Sequence, residues 1–295
     1  MRISNLHTKV CSLCLALAAT ALASCEYSGN PNDLPDVNPA DYVGKIDGYN
    51  NSEEIFPDNL VAYWSFDDTK KELVSDTEPT SSLNDSYVEG GVRGKALQLN
   101  SGWVYYAKQF ENFKTAELKS FTISHWVQIR NNGSKRTMTF QLARPGIQNG
   151  NINVILNTQL DPAANANILR IQPTFNTQAG GFQDNLNNQL SPDNQPNKWV
   201  HIVLTYDITT GIFNIWADGV KVGNFPNRGL TNTFYAHEPS EVIIGANYNS
   251  IPGKQVNNDT NFAPMNGKID EIRVYDIPLP DAHIRSLYNL GLAGK

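Results

Sequence analysis

The sequence predicts an all-β fold: two antiparallel sheets packed as a sandwich, with one short helix near the C-terminus. Three observations predict it. From Leu60 onward, short runs rich in Val, Ile, Phe, Tyr and Trp alternate with turn residues, as sandwich strands do. Asp218-Gly219 separates two of these runs, and a tight hairpin turn selects such a pair because Gly takes positive φ freely. Only the last segment has helical spacing. Ile284, Leu287 and Tyr288 recur at i, i+3 and i+4, and Gly291 stands where a helix cap is expected.

Arg2 and Lys9 bracket the start of an apolar run at 10–23, too short for a comfortable membrane span and suited to a secretory leader. The run ends in Leu22-Ala23-Ser24-Cys25, which resembles a bacterial lipobox. That resemblance implies a signal peptide at 1–24, cleavage before Cys25 and lipidation of its sulfur. Residues 25–58 then read as the lipidated cysteine and a tether. They hold Pro31, Pro35, Pro39 and Pro57 among Asn, Asp, Gly and Ser, with no sustained apolar period. Residues 42–49 are a candidate docking stretch within it.

The folded domain is expected over 59–295. Strands are expected at 60–66, 96–99, 103–107, 121–129, 138–142, 153–157, 168–172, 199–206, 211–217, 220–224, 241–246 and 268–275, and the helix at 279–288. Two long stretches, 172–197 and 247–266, are rich in Asn and Gln, and loops of this length are uncommon unless functional or disordered. The three cysteines, Cys11, Cys14 and Cys25, all precede the domain, which therefore has no disulfide framework and no cysteine zinc site. A chain of 295 residues is long enough to bury the core that such a domain needs.

The formal charge is −6, and loss of Arg2 and Lys9 with the leader makes it more negative. No basic run occurs, which argues against nucleic acid and anionic membrane surfaces as partners. Gly-x-Ser-x-Gly, His-Glu-x-x-His and a phosphate-binding Gly loop are all absent from the sequence.

Five segments, in order, resemble the laminin-G-like (LamG, concanavalin-A-like) jelly-roll family over about Leu60 to Leu290. Leu60-Val61-Ala62-Tyr63-Trp64-Ser65-Phe66-Asp67 is similar to the opening strand, and Gly94-Lys95-Ala96-Leu97-Gln98-Leu99 to the next, with Leu99 for the usual Phe. Phe121-Thr122-Ile123-Ser124-His125-Trp126-Val127 is similar to the "F-T-I-x-x-W-V" strand. Trp199-Val200-His201-Ile202-Val203 with Asp218-Gly219 is similar to the "W-x-H-V" strand and its hairpin, and Gly267 to Tyr288 to the closing segment. Pro280 replaces the family's frequent Ser helix cap. The resemblance implies a jelly-roll β-sandwich. It also implies a plan like that of Bacteroidetes-type surface lipoproteins at a bacterial outer membrane, with glycans or glycoproteins as ligands and outer-membrane proteins as possible partners.

The closing strand carries Ile269-Asp270-Glu271-Ile272-Arg273-Val274-Tyr275. Strict alternation places Asp270 with Ile272 and Val274, and Glu271 with Arg273 and Tyr275 on the other face. The two acids would then point apart and could not serve as a catalytic pair, unlike the spaced carboxylates of laminarinase-type glycanases. A carboxylate among apolar neighbours must be hydrogen-bonded or bound to a cation. The resemblance implies one structural calcium here, held by Asp270 with Asp67 and the Gly90-Gly91 backbone as co-ligands. The alternative is that Asp270 accepts backbone amides and Asp67 begins a turn.

Sugar recognition needs aromatic faces beside polar groups. Trp126 and Trp216 alternate with Thr122, Ser124, Asn214 and, on the neighbouring run, His201 and Thr205, so one sheet face could bind or could be core. Trp103, Tyr105, Phe182 and Tyr248 border the amide-rich loops, as sugar platforms or as small cores beneath them. His125, in phase with Phe121, Ile123 and Val127, is expected in the core. The function these features suggest is non-catalytic carbohydrate binding. The alternatives are a protein-interaction or structural module and a glycan-active enzyme.

Overall fold

Strands form where the alternating runs stand, and they join into one curled antiparallel sheet. A computed structural model describes residues 43–130, 135–157, 167–176, 189–191, 193–228 and 237–295. The chain divides into two units, Met1–Val43 and Gly44–Lys295, and apart from Val43 every described residue belongs to the second. Cys25 and Phe182 lie outside the described residues.

The strands are β1 (Leu60–Trp64), β2 (Ser81–Glu89), β3 (Lys95–Tyr106), β4 (Phe121–Gln128), β5 (Thr137–Arg144), β6 (Ile147–Asn157), β7 (Arg170–Ile171), β8 (Thr174–Phe175), β9 (Gln189–Leu190), β10 (Val200–Asp207), β11 (Ile212–Ala217), β12 (Val220–Phe225), β13 (Glu241–Ile244) and β14 (Met265–Tyr275). The helix α1 spans Asp281–Leu292. The order is β12-β11-β10-β4-β14-β3-β13-β5-β6-β7-β9, with β1 on β14, β2 on β3 and β8 on β6. The sheet folds over at β14. Its first residues, Met265 to Ile269, pair with β3, and its later ones pair with β4 and β1. This makes two layers of a jelly roll: a back layer of β12, β11, β10, β4, β14 and β1, and a front layer of β3, β13, β5 and β6 with their short partners.

The core lies between the layers. Ile123 and Val127 of β4, Ile202 and Leu204 of β10, Phe140 and Leu142 of β5 and Val154 of β6 belong to one buried cluster. Rings bridge the layers: Trp64 meets Phe140 at 5.8 Å and Phe175 stacks on Phe213 at 5.3 Å. His125 is a core residue as expected, wholly buried and hydrogen-bonded through Nε2 to Thr139 Oγ1 at 3.0 Å. The Asp218-Gly219 turn has φ of 51° and 70°, the left-handed pair that a tight hairpin requires.

Three sequence expectations change. First, alternation breaks at the closing strand. A bulge between Asp270 and Arg273 shifts the register on β4, and Glu271 sits at φ 53°. The extra residue advances the phase by one, so Ile269, Ile272 and Val274 all face the core while Asp270, Glu271 and Arg273 lie outside it. The two acids are therefore not on opposite faces. Glu271 Oε2 pairs with Arg273 Nη2 at 2.5 Å, and its Oε1 accepts the Tyr63 hydroxyl at 2.8 Å, which holds the left-handed residue in place.

Second, the tether ends earlier than Asp58. Residues from Gly44 are part of the compact unit, and Ser52 and Ile55 are buried. Ser52 Oγ accepts Nη1 of Arg93 and Nη2 of Arg273, both at 3.0 Å, so the segment closes over buried charges. Ile55 joins Trp216, Tyr275, Ile284, Leu287 and Leu290 in a second apolar cluster.

Third, Gly291 is inside α1 rather than at its cap. A Cβ there would collide with the Trp126 indole, so glycine is what lets the helix lie on the sheet. Gly294 supplies the left-handed residue after the helix, at φ 69°. At the other end Pro280 gives no side-chain cap. The Thr122 hydroxyl ties the entry instead, accepting Leu279 N–H and donating to the Ile277 carbonyl, each at 2.8 Å.

Candidate functional site

Asp67 and Asp270 converge on one hairpin, the turn at 90–95 between β2 and β3. Asp270 Oδ2 accepts the Val92 amide at 2.6 Å and the Arg93 amide at 3.4 Å, and Oδ1 accepts the Glu271 amide at 3.0 Å. Asp67 Oδ1 accepts the Lys95 amide at 2.7 Å. Gly91 approaches Asp270 so closely that a Cβ would lie 2.8 Å from Oδ2. The Gly90 carbonyl accepts Trp199 Nε1 at 3.2 Å. Burial, with the Glu271 and Asp67 carboxylates nearby, pushes Asp270 up to about 8 against the pull of its amide donors. The site thus holds two carboxylates against backbone amides, and its hard oxygens are the donor type calcium takes. Among the described residues no group of three or more His, Cys, Asp or Glu side chains could hold a metal.

The four aromatic candidates fall on opposite outer faces, two to each, and all are inside. On the back layer Trp126 stacks on His201 at 4.6 Å and on Tyr288 of α1 at 5.7 Å. Trp216 is 1% exposed, with Lys221 Nζ 4.8 Å over its ring. On the front layer Trp103 and Tyr248 form a small cluster with Tyr105, Ala143, Ile243, Ala246 and Ile251. None offers an open ring face for stacking. Glu241 beside this cluster accepts the Tyr105 hydroxyl at 2.6 Å and pairs with Lys254 at 3.2 Å.

Two contiguous clefts open on the front layer at the β5–β6 hairpin. One, of about 200 Å³, is lined by Arg136, Asn149, Ile155, Thr174, Asp259, Asn261 and Phe262. The other, of about 410 Å³, is lined by Gly146, Ile147, Gln148, Asn149, Asn176, His237, Val256 and Asn257. Asn149 belongs to both. Local structure explains why these residues meet. Gly150 passes so near the Leu142 carbonyl that no Cβ fits, and this closes the hairpin that presents Gln148 and Asn149. The 247–264 loop is stitched to β5 by Arg136 N–H to Asn261 O at 3.1 Å and Ala263 N–H to Arg136 O at 2.9 Å. That brings half-buried Phe262 under the Arg136 guanidinium, 5.8 Å from the ring centre.

The floor is a network of amides. Gln141 Nε2 donates to Asn153 Oδ1 and to the Gln148 carbonyl, each at 2.8 Å, and Asn176 Nδ2 donates to the Asn149 carbonyl at 2.7 Å. Asn257 Nδ2 donates to Gln148 Oε1 at 2.6 Å, and Gln148 Nε2 to Asp259 Oδ2 at 2.7 Å. Asn151 Nδ2 donates to the His237 carbonyl. Three atoms of cleft residues, Asn149 Oδ1, His237 Nε2 and Arg136 Nε, are buried with no hydrogen-bond partner. Such atoms are costly unless something fills them. Burial, then Arg144, lowers His237, so it is neutral at pH 7. The amide of Asn261 is the main cause that keeps Asp259 below the usual carboxylate range.

None of the lining residues was singled out individually in the sequence. The available signal was the amide enrichment of 172–197 and 247–266, which supply Thr174, Asn176, Asn257, Asp259, Asn261 and Phe262.

A third cleft, of about 280 Å³, lies at the opening of β10 and β14, beside Gln128, Arg130, Gln195, Asn197, Lys198 and Asn266. Its polar groups are largely engaged: Gln128 donates to Asn197 O at 2.7 Å, and Lys198 pairs with Asp193 and Asp218.

A family model described as the concanavalin A-like lectin/glucanases superfamily matches residues 103–285. No curated protein matches the chain. Among solved structures, the binding domain of Paraclostridial Mosquitocidal Protein 1 is similar at 17% identity and a TM-score of 0.54, over 79% of this chain and 52% of that one. The binding domain of botulinum neurotoxin DC, solved with rat synaptotagmin II, gives 15% identity and a TM-score of 0.51, over 79% of this chain and 51% of that one. Domain 4 of AbnA, a GH43 extracellular arabinanase from Geobacillus stearothermophilus solved with arabinotriose, gives 17% identity and a TM-score of 0.49, over 78% of this chain and 98% of that one. The chain spans about half the length of the two toxin binding domains, and its likeness to them is one of fold.

Proposed function

The chain belongs to the concanavalin A-like lectin/glucanases superfamily, and from that premise we propose that it is a non-catalytic glycan-binding protein whose site is the pair of clefts at the β5–β6 hairpin. One observation carries the reading. The clefts share Asn149 and bring together a half-exposed ring, several amides and buried polar atoms with free hydrogen-bonding capacity. Sugar hydroxyls are both donors and acceptors, so an amide-lined groove with one apolar ring suits them. The sheet faces are less suited, since their tryptophans are covered.

A glycan array with the full-length protein tests this. Binding to a defined set of glycans that Asn149→Ala weakens is the expected result. Binding to no glycan sinks the reading and favours a protein-interaction or structural module. Turnover of a bound glycan would make the protein an enzyme.

Asp67 and Asp270 are proposed to hold one structural calcium at the 90–95 hairpin, with Asp270 supplying a desolvated carboxylate and Asp67 an exposed one. Chelation should then lower the melting temperature; an unchanged melting temperature means that the hairpin amides suffice. Lipidation at Cys25, with residence at a bacterial outer membrane facing outward, is proposed on the lipobox-like sequence. Cys25→Ala should release the protein from the membrane fraction, and retention there would count against it.

A further inference from the structure

We propose that the glycan bound in these clefts is acidic, carrying a carboxylate or sulfate that the Arg136 guanidinium receives. This rests on the glycan-binding reading and specifies its ligand class.

The argument begins with charge in the cleft wall. The protein is acidic, at −6, and the arginines at the closing strand are matched: Arg273 pairs with Glu271 at 2.5 Å, and Arg93 reaches Glu53 and Glu271. Arg170, like Arg136, has a buried Nε without a partner, but Arg136 is the one that lines a cleft. Arg136 is half-buried in the cleft wall, yet it forms no ion pair among the described residues, and its Nε is buried without a partner. A guanidinium taken partly out of water with no anion in hydrogen-bonding contact keeps donor capacity for a partner from outside.

The neighbouring acid is near but not paired with it. Asp259 lines the same cleft and feels the Arg136 charge, but its Oδ1 accepts the Asn261 amide at 2.9 Å and its Oδ2 accepts Gln148 Nε2 at 2.7 Å, with no ion pair to the guanidinium. Meanwhile Phe262 holds the guanidinium plane from one side. A planar, positioned guanidinium with free donors matches the two oxygens of a carboxylate or sulfate better than it matches a hydroxyl. Arg144, the register partner of the cleft residue Ile147, is exposed without an ion pair among the described residues and adds positive charge near His237.

Titration of the full-length protein with three hexasaccharides tests this: an oligogalacturonate, a sulfated galactan and neutral cellohexaose. The expected result is binding of one or both acidic chains at least tenfold tighter than the neutral one, with 0.5 M salt reducing the preference. Arg136→Gln should weaken the acidic chain about tenfold more than it weakens the neutral one, and Arg136→Lys should recover part of that difference. Melting curves of both variants establish that they fold. The two acidic arms separate carboxylate from sulfate. Equal affinity for neutral and acidic chains, or an unchanged acidic affinity in Arg136→Gln, overturns the inference while leaving glycan binding intact. Binding of none of the three, together with a blank glycan array, overturns both.

Discussion

The two outer faces of the sandwich began as similar strips of sequence and ended with opposite fates. The back face, on β4, β10, β11 and β14, carries Trp126, Trp216, Ser124 and His201, and the helix and the segment from Gly44 cover it. The front face carries Trp103, Gln141, Asn153 and Glu241. Its β3–β13 side lies in a small apolar cluster, while its β6 side opens into clefts. Aromatic and polar residues alternating along a strand therefore do not announce a binding surface. What decides is whether another element covers them, and what remains unpartnered afterwards. On the back face Ser124 Oγ meets His201 Nε2 at 2.8 Å, and the unpartnered His201 Nδ1 and Trp216 Nε1 are in side chains that are covered; on the front face the unpartnered Asn149 Oδ1 and His237 Nε2 belong to residues that line an open cleft.

This contrast can be broken in graded ways. The largest effect should come from the back face. Arg273→Ala removes the closer of the two arginines on Glu271, which is 1% exposed and keeps only Arg93 at 3.5 Å, and should cost about 3 kcal/mol in denaturant unfolding. Trp126→Ala leaves a hole between His201, Tyr288 and Gly291 and should cost about 3–5 kcal/mol. If either change were neutral, the back face would not be the stabilising one.

A middle-sized effect follows from pH. Burial pushes His201 down to about 3, so the folded state keeps it neutral while the unfolded state takes a proton below about 6.5. The stability it contributes is present above that value and is lost as pH falls toward 3, about 2 kcal/mol between pH 7 and 5. Unfolding midpoints of His201→Gln should lose that part of the acid sensitivity. Asp270, raised to about 8, acts in the other sense: its contribution is present below its ordinary 3.8 and lost as pH rises through 8. It is common to both proteins, so the difference between them isolates His201.

The smallest stability effect is expected on the front face. Asn149→Ala should move stability by no more than about 0.5 kcal/mol, since its side-chain oxygen has no partner to lose, while weakening glycan binding about tenfold. A large loss of stability would make Asn149 a structural residue and remove the contrast.

Most of the fold was legible because its signals are local. The runs at 121–129, 199–206 and 211–217 became β4, β10 and β11 within a residue or two at each end, and the Asp218-Gly219 turn is where its chemistry demands. The exposed β2 was not legible, since Ser81–Glu89 is polar at most positions and packs mainly as an edge on β3. Nor were the two-residue strands β8 and β9, which are too short to show a period, whereas β7 falls inside the run expected at 168–172. The clefts were visible only as amide-rich stretches. Arg136 and Phe262 are far apart in sequence, and only the bridge between β5 and the 247–264 loop brings them together.

By itself the sequence determined the sandwich, its hairpins and the closing helix, because periodicity and turn chemistry act between residues that are near neighbours in the chain. Tertiary structure alone decided the bulge at Glu271, the packing of α1 over Trp126 through Gly291, the entry of residues 44–59 into the domain, and which polar atoms were left unpartnered. These depend on contacts between segments distant in the chain, where a one-residue shift in register or a missing Cβ changes what is covered and what stays open.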